Sequence, residues 1–110
     1  MEELGLPEGV TQEQVDAWKK EYKKVKTSTF KTDDGQDVLF ILARPTRVIL
    51  DMWNNAFDKG DRQKARDILK TNCIKFGDKK LLDTDVNLET SVLGKIQGML
   101  EEVQAIEKEL

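Results

Sequence analysis

The chain has 110 residues, which is enough for one hydrophobic core and one domain of ordinary size. Charged residues make up 35% of it and the net charge is -3, a composition typical of a soluble globular domain. No apolar run is long enough to span a bilayer, and the acidic N-terminus lacks a signal-peptide pattern. We therefore expect a cytoplasmic protein without a membrane partner.

The chain divides into two segments of unequal size. Residues 1–10 are predicted to be a flexible leader, since Pro7 and Gly9 interrupt local order and little there can be buried. Residues 11–110 are predicted to form a single α+β domain. Its expected elements are an N-terminal helix, one β-hairpin and three further helices, of which two form a helical hairpin and the last is long.

The first helix has a clear start signal. Thr11 is followed three residues later by Gln14, which is the pattern of a capping box. Apolar residues then recur at helical spacing: Val15, Trp18 and Tyr22. The sequence predicts a helix over residues 12–23 that can dock on the domain through Trp18.

A β-hairpin is predicted next. Residues 25–32 are rich in β-branched side chains and carry lysines, which suits an edge strand. Asp34 and Gly35 mark the turn, because glycine readily supplies the positive φ of primed hairpin turns. Residues 38–43 (VLFILA) are apolar on both faces, so we expect other elements to cover this strand on both sides.

Two core-facing helices should follow the hairpin. Pro45 ends the second strand, and Thr46 caps a helix over residues 47–58. Its apolar stripe consists of Ile49, Met52, Trp53, Ala56 and Phe57. Gly60 stops this helix and Asp61 caps the next one, so the two form an antiparallel pair. The second helix carries Ala65, Ile68, Leu69 and Cys73.

The C-terminal third is predicted as a polar loop over residues 76–87, with Leu81 and Leu82 tucked into the core, and one long helix over residues 88–110. The helix has a seam with spacings of 4, 3, 4, 3 and 4: Val92, Ile96, Met99, Val103, Ile106 and Leu110. Gly94 and Gly98 should allow another element to approach closely. The seam either packs on the domain or projects, in which case it mediates homo-oligomerisation or binds a helical partner.

Reactive constellations are missing from the sequence. There is no histidine, which removes the commonest general base and metal ligand. The aspartates near the hairpin and in the later loop are expected to form turns and caps. Cys73 has no histidine to activate it and is expected to be a buried, small hydrophobic residue. We therefore expect no catalytic residue, no metal and no cofactor.

The segment over residues 19–31 is rich in lysine, which raises the question of nucleic acid. Lysines contact phosphates, and Tyr22 or Phe30 offers an aromatic ring for stacking. The alternative is a water-exposed helix face followed by an edge strand protected by lysines. The acidity of the whole chain and the absence of a base-reading motif favour that alternative.

The order of these elements resembles that of the small tail assembly chaperones of bacteriophages and prophages. The similarity covers about residues 22–110. Three pieces carry it: Tyr22-Lys23-Lys24-Val25, the strand that runs into Arg44-Pro45, and the pair Asn72-Cys73 with Gly77-Asp78. The leader and the first helix lie outside the similarity, and the turn after Cys73 lacks the bulky aromatic residue expected there.

The resemblance implies a non-enzymatic role in a bacterial host cell. Proteins of this kind hold the long, helical tape measure protein soluble, help recruit tail tube subunits, and leave before the virion is complete. The alternative is a structural or oligomerising component of phage morphogenesis; a nucleic-acid-binding regulator ranks below both. On physical grounds, the candidate partner-binding residues are Trp53, Phe57, Met99, Val103 and Ile106.

Overall fold

The computed structural model describes residues 6–100 and residue 109 of the chain. Within that part of the chain there are five helices and three strands. Their bounds are α1 Gln12–Tyr22, β1 Val25–Lys31, β2 Asp37–Ala43, α2 Arg47–Asp58, α3 Arg62–Cys73, β3 Ile74–Phe76, α4 Lys80–Thr84 and α5 Val86–Gly98. The predicted α+β class is confirmed.

The strands form one antiparallel sheet with β2 in the centre. β1 pairs with β2 from Val25 opposite Ala43 to Lys31 opposite Asp37, which confirms the predicted hairpin and the edge position of β1. The short strand β3 pairs with the other edge of β2, and the sequence did not predict it. A central position means that both edges of β2 are hydrogen-bonded to neighbouring strands.

The hairpin turn lies where it was predicted, but it is longer than a primed turn. Because Lys31 pairs with Asp37, the connection comprises residues 32–36. The Gly35 N–H donates to the Thr32 carbonyl at 2.9 Å, and Gly35 has a φ of 87°. Asp34 does not share the positive φ that a type I′ turn requires at both central residues.

The core lies on both sides of β2, as predicted. Phe40 and Leu42 are fully buried on the face that α3 and α5 cover. On the opposite face, Ile41 is 1% exposed beneath α1, whose Val15 lines the same small pocket. The Thr11–Gln14 capping box that starts α1 is also confirmed. The sheet is therefore enclosed between α1 on one side and α3 and α5 on the other.

The expectation of an irregular loop over residues 76–87 was wrong, although Leu81 and Leu82 pack on the core as expected. β3 ends at Phe76, and α4 then folds over the core with Leu82 only 2% exposed. Gly77 makes the turn between them with a φ of 133°. A three-residue strand and a five-residue helix are both too short to show a periodic pattern in the sequence.

The C-terminal helix is shorter than predicted. α5 ends at Gly98, and Leu100 lies outside any helix, so the expectation of one unbroken helix over residues 88–110 was wrong. A Cβ at Gly94 or Gly98 would meet nothing within 4 Å, so neither glycine permits the close approach expected of it. The two glycines weaken the helix near its end. None of the described helices is long and apolar enough to cross a membrane.

Candidate protein-binding surface

α2 has a wider apolar face than its neighbours cover. Its apolar residues occupy roughly half of the helix circumference. In the described part of the chain, α3 is the one element that packs extensively against it. Ile49 and Ala56, in the middle of the apolar face, are buried. The apolar residues on the two flanks are Val48 and Met52 on one side and Leu50, Trp53 and Phe57 on the other.

The two flanks differ in how they are supported. On the first, which we call the Met52 strip, Val48 is 68% and Met52 is 45% exposed. On the second, the Trp53 strip, Leu50, Trp53 and Phe57 follow at positions i, i+3 and i+7. Trp53 is half-buried against the core, and its ring centroid lies 5.1 Å from that of Phe57, which is 45% exposed. The Trp53 strip is thus a surface whose central ring is fixed by the fold.

A groove of about 710 Å³ continues the Trp53 strip beyond the start of α2. We call it the Leu50 groove. Its lining residues come from the end of α1, the β2–α2 connection, α2 and the segment just after α5: Glu21, Tyr22, Lys23, Arg44, Pro45, Thr46, Arg47, Leu50 and Leu100. Leu50 belongs to both features, so the strip and the groove form one continuous surface.

The groove forms where two segments that are distant in sequence meet. The Arg44 N–H donates to the Lys24 carbonyl at 3.0 Å, which holds the exit of β2 beside the end of α1. Lys23 makes the bend out of α1 with a φ of 73°, a conformation that few residues other than glycine adopt. Two of the segments that carry the family resemblance, residues 22–25 and Arg44-Pro45, therefore lie together at this groove.

Tyr22 fixes the floor of the groove. Its side chain is buried, and its hydroxyl accepts a hydrogen bond from Lys75 Nζ at 2.6 Å. The same ammonium nitrogen lies 4.3 Å from the centroid of the Tyr22 ring. These contacts connect the end of α1 to β3, so this wall of the groove is part of the folded core.

Positive charge borders the surface. The groove is lined by Lys23, Arg44 and Arg47 against one carboxylate, that of Glu21. Among the described residues, none of these three cations forms an ion pair. At the far end of the Trp53 strip, the Arg62 guanidinium lies 5.5 Å from the Phe57 ring centroid. The apolar surface is therefore bordered by cations at both ends.

The candidate residues named from sequence fall into three groups. Trp53 and Phe57 lie together on the Trp53 strip. Met99 is 3% exposed and belongs to the core, so its expected place on a partner-binding seam is corrected. It packs inward because it continues the face of α5 that buries Val92 and Ile96, seven and three residues before it. Val103 and Ile106 lie outside the described residues.

The polar and nucleophilic groups of the described core have structural roles. Burial raises the pKa of the fully enclosed Cys73 thiol to about 11, so it stays protonated at neutral pH and is a poor nucleophile. Asp61 and Asp85 cap α3 and α5, as expected of turn-forming and capping aspartates. No group of three side chains able to hold a metal ion occurs among residues 6–100 and 109.

Sequence reasoning missed the Leu50 groove, although a signal was present. Leu50 precedes Trp53 by three residues and Phe57 by seven, but the predicted stripe does not include it. The positions of Arg44 and Lys23 beside it depend on strand pairing, which a local pattern does not reveal. Comparisons of the chain with protein-family models, curated proteins and solved structures found no match. Function is therefore inferred from the geometry and charge of this surface.

Proposed function

We propose that this chain is a non-enzymatic, tail assembly chaperone-like protein that binds a helical protein partner, such as a tape measure or tail tube protein, in the bacterial cytoplasm. The observation that carries the proposal is the apolar surface on the flanks of α2, where Val48 and Met52 are exposed on one side and Phe57 on the other. A chaperone of this kind has to cover the apolar stripe of an amphipathic helix until assembly. An apolar strip that has the half-buried Trp53 at its centre and continues into the Leu50 groove can do so by helix-in-groove packing.

The degree of exposure favours reversible binding. Full burial of such a side chain contributes about 1.5–3 kcal/mol, so covering the exposed half of Met52 or Phe57 contributes about 1 kcal/mol each. Association itself costs roughly 4–15 kcal/mol in lost translational and rotational freedom. The exposed residues of α2 therefore give a contact that needs help from the Leu50 groove and remains releasable. Release is what an assembly chaperone requires.

The second candidate is a structural or oligomerising component of phage morphogenesis. One observation favours it: β1 is an edge strand with no partner on its outer side among the described strands. A second chain can extend a sheet at such an edge, although Lys26 and Lys31 on β1 discourage pairing. The two functions differ in persistence. A structural component stays in the finished particle, and a chaperone is absent from it.

The test is co-expression with a long, helical tape-measure-type protein from the same genome. We expect the soluble fraction of that protein to rise several-fold, because its apolar stripe is covered. Phe57→Asp should abolish most of the effect, since a carboxylate would be buried in the contact beside Trp53. Val86→Asp is the matched control, because Val86 is 69% exposed on α5, away from the surface.

Two outcomes would count against the proposal. One is a partner whose solubility does not change, or changes equally with the α2 variant and with the Val86 control. The other is the presence of the chain in completed particles at stoichiometric amount, measured by mass spectrometry. The second outcome would favour the structural component.

A further inference from the structure

We propose that the Leu50 groove and the Trp53 strip together form a docking site for an acidic amphipathic helix of a partner protein. This inference rests on the proposed function and adds the chemistry of the partner segment. It predicts apolar residues on one face of the partner helix and glutamates or aspartates beside them. The same surface should discriminate against a basic helix with identical apolar residues.

The apolar part of the site has the repeat of a helix–helix contact. Leu50, Trp53 and Phe57 lie at i, i+3 and i+7, the spacing at which one helix presents anchors to another. The three positions cover about 10 Å along α2. The Leu50 groove extends the site past Thr46 toward Tyr22 and Pro45. A partner helix of three to four turns would lie along the whole surface.

The charged part of the site determines the sign of the partner. Lys23, Arg44 and Arg47 border the groove, and Arg62 borders the other end beside Phe57. A neutral apolar helix would remove water from these cations without giving them a partner, which is unfavourable. Glutamates flanking the apolar residues of the partner would supply carboxylates at that border. Charge complementarity also speeds up encounter and excludes basic competitors.

The Met52 strip offers an internal comparison. It borders a smaller groove of about 280 Å³, lined in part by Lys59, Lys64 and Asp61. The Asp61 carboxylate there is engaged as the cap of α3, through the Lys64 N–H at 3.0 Å. Because that bond uses the Lys64 backbone, replacing the Lys59 and Lys64 side chains leaves the cap in place. Their replacement by glutamate changes the charge by the same amount as at Arg44 and Arg47, but on the opposite flank of α2. They are the matched control.

Two other occupants share the chemistry of the proposed partner. Residues 101–110 carry four glutamates and follow Leu100, which itself lines the groove. A second copy of the chain could present the same segment. A partner protein is the proposed occupant because Phe57 and Leu100 present apolar surface, 45% and 37% exposed, and the experiment separates it from the other two occupants.

The experiment uses two synthetic peptides of roughly 16 residues, about 24 Å long as helices. Both carry leucines at i, i+3 and i+7 on an alanine background, with glutamates flanking the leucines in one and lysines in the other. The full chain is used with Trp18→Phe, which leaves Trp53 as the single tryptophan reporter. Binding is measured from Trp53 fluorescence at low salt.

We expect the glutamate peptide to bind at least tenfold more tightly than the lysine peptide, with the difference shrinking as salt is raised. Arg44→Glu with Arg47→Glu should remove or reverse that preference. Lys59→Glu with Lys64→Glu should leave it intact. If the double arginine variant does not unfold cooperatively, the single change Arg47→Gln replaces it, because Arg47 is exposed and its substitution should not disturb the fold. This change should lower the affinity for the glutamate peptide about threefold.

Each contrary result overturns a defined part of the inference. Equal binding of the two peptides overturns the acidic partner but leaves the proposed function, which the co-expression test decides separately. Failure of both peptides to bind overturns the site. If Val103→Asp with Ile106→Asp raises peptide affinity several-fold, the segment at residues 101–110 of the same chain is the occupant. If the glutamate peptide dissociates a dimer in sedimentation, the occupant is a second copy.

Discussion

α2 and α5 are amphipathic helices of similar length, yet the fold treats them differently. α5 lies among α3, α4 and β1, and its residues Leu88, Val92, Leu93 and Ile96 are all buried. α2 packs against α3, and only Ile49 and Ala56 are buried along it. An apolar stripe therefore shows which side chains avoid water, but the number of neighbouring elements decides how many of them succeed. We interpret α5 as a core helix and α2 as a helix that keeps exposed apolar surface for binding.

The largest expected effect lies in the sheet that α5 helps to cover. Phe40 is fully buried and meets Phe30 edge-on at 5.9 Å between ring centroids. Phe40→Ala should therefore lower the free energy of unfolding by about 3–5 kcal/mol, measured by urea denaturation. Phe57→Ala, on α2, is the control and should cost under about 1.5 kcal/mol because half of its ring is already in water. Equal losses would remove the distinction between the two regions.

Gly77→Ala should be the next most damaging change. A Cβ at this position would overlap the Phe40 ring, and the backbone φ is 133°. Strain and overpacking together should cost roughly 2–4 kcal/mol. Gly35→Ala has a similar backbone cost but meets nothing within 4 Å, so it should cost only about 1–2 kcal/mol. Thermal unfolding of the two variants compares them, and a larger loss for Gly35→Ala would contradict the packing at β2.

The N-terminal cap of α5 should contribute more to stability than the N-terminal cap of α2. Asp85 accepts from the Leu88 N–H at 3.0 Å and also from the Asp33 N–H at 3.2 Å, so it connects α5 to the hairpin turn. Thr46 makes one longer bond, 3.4 Å, to the Ile49 N–H of α2. Asp85→Ala should cost about 1–2 kcal/mol and Thr46→Ala about 0.5 kcal/mol. Denaturant midpoints at constant slope measure both, and the reverse order would show that α2 is the better-anchored helix.

The smallest effects should come from the Met52 strip. Val48→Ser should change the free energy of unfolding by no more than about 0.5 kcal/mol, because Val48 is 68% exposed. Val92→Ser, on α5, should cost about 3 kcal/mol or more, since Val92 is fully buried and the hydroxyl would have no assured partner. A loss above about 1 kcal/mol for Val48→Ser would mean that the strip is covered within the folded chain.

The sequence was informative where the signal was local. The Thr11–Gln14 capping box, the hairpin around Gly35 and the bounds of α2 all follow from patterns within a few residues, and the structure confirms them. β2 was also predictable as a strand covered on both sides, because its residues are apolar without alternation. These features needed no knowledge of distant contacts.

The features that sequence reasoning missed depend on tertiary contacts. β3 exists because three residues after α3 find a free edge on β2, and α4 because Leu82 finds the core. Met99 continues the seam of α5 and is buried with Val92 and Ile96, and only tertiary packing shows that this seam faces the core and not a partner. The Leu50 groove forms from the meeting of α1 and the β2–α2 connection, so its positive border was not visible as a motif.

The contrast between α2 and α5 can be tested by a backbone amide NMR titration of the full chain with the glutamate peptide. Chemical-shift changes should concentrate at Leu50, Trp53 and Phe57 and along the Leu50 groove. The amide signals of Val92 and Ile96 on α5 should keep their chemical shifts. Changes confined to α5 or to the outer edge of β1, with α2 unaffected, would contradict the assignment of α2 as the binding helix.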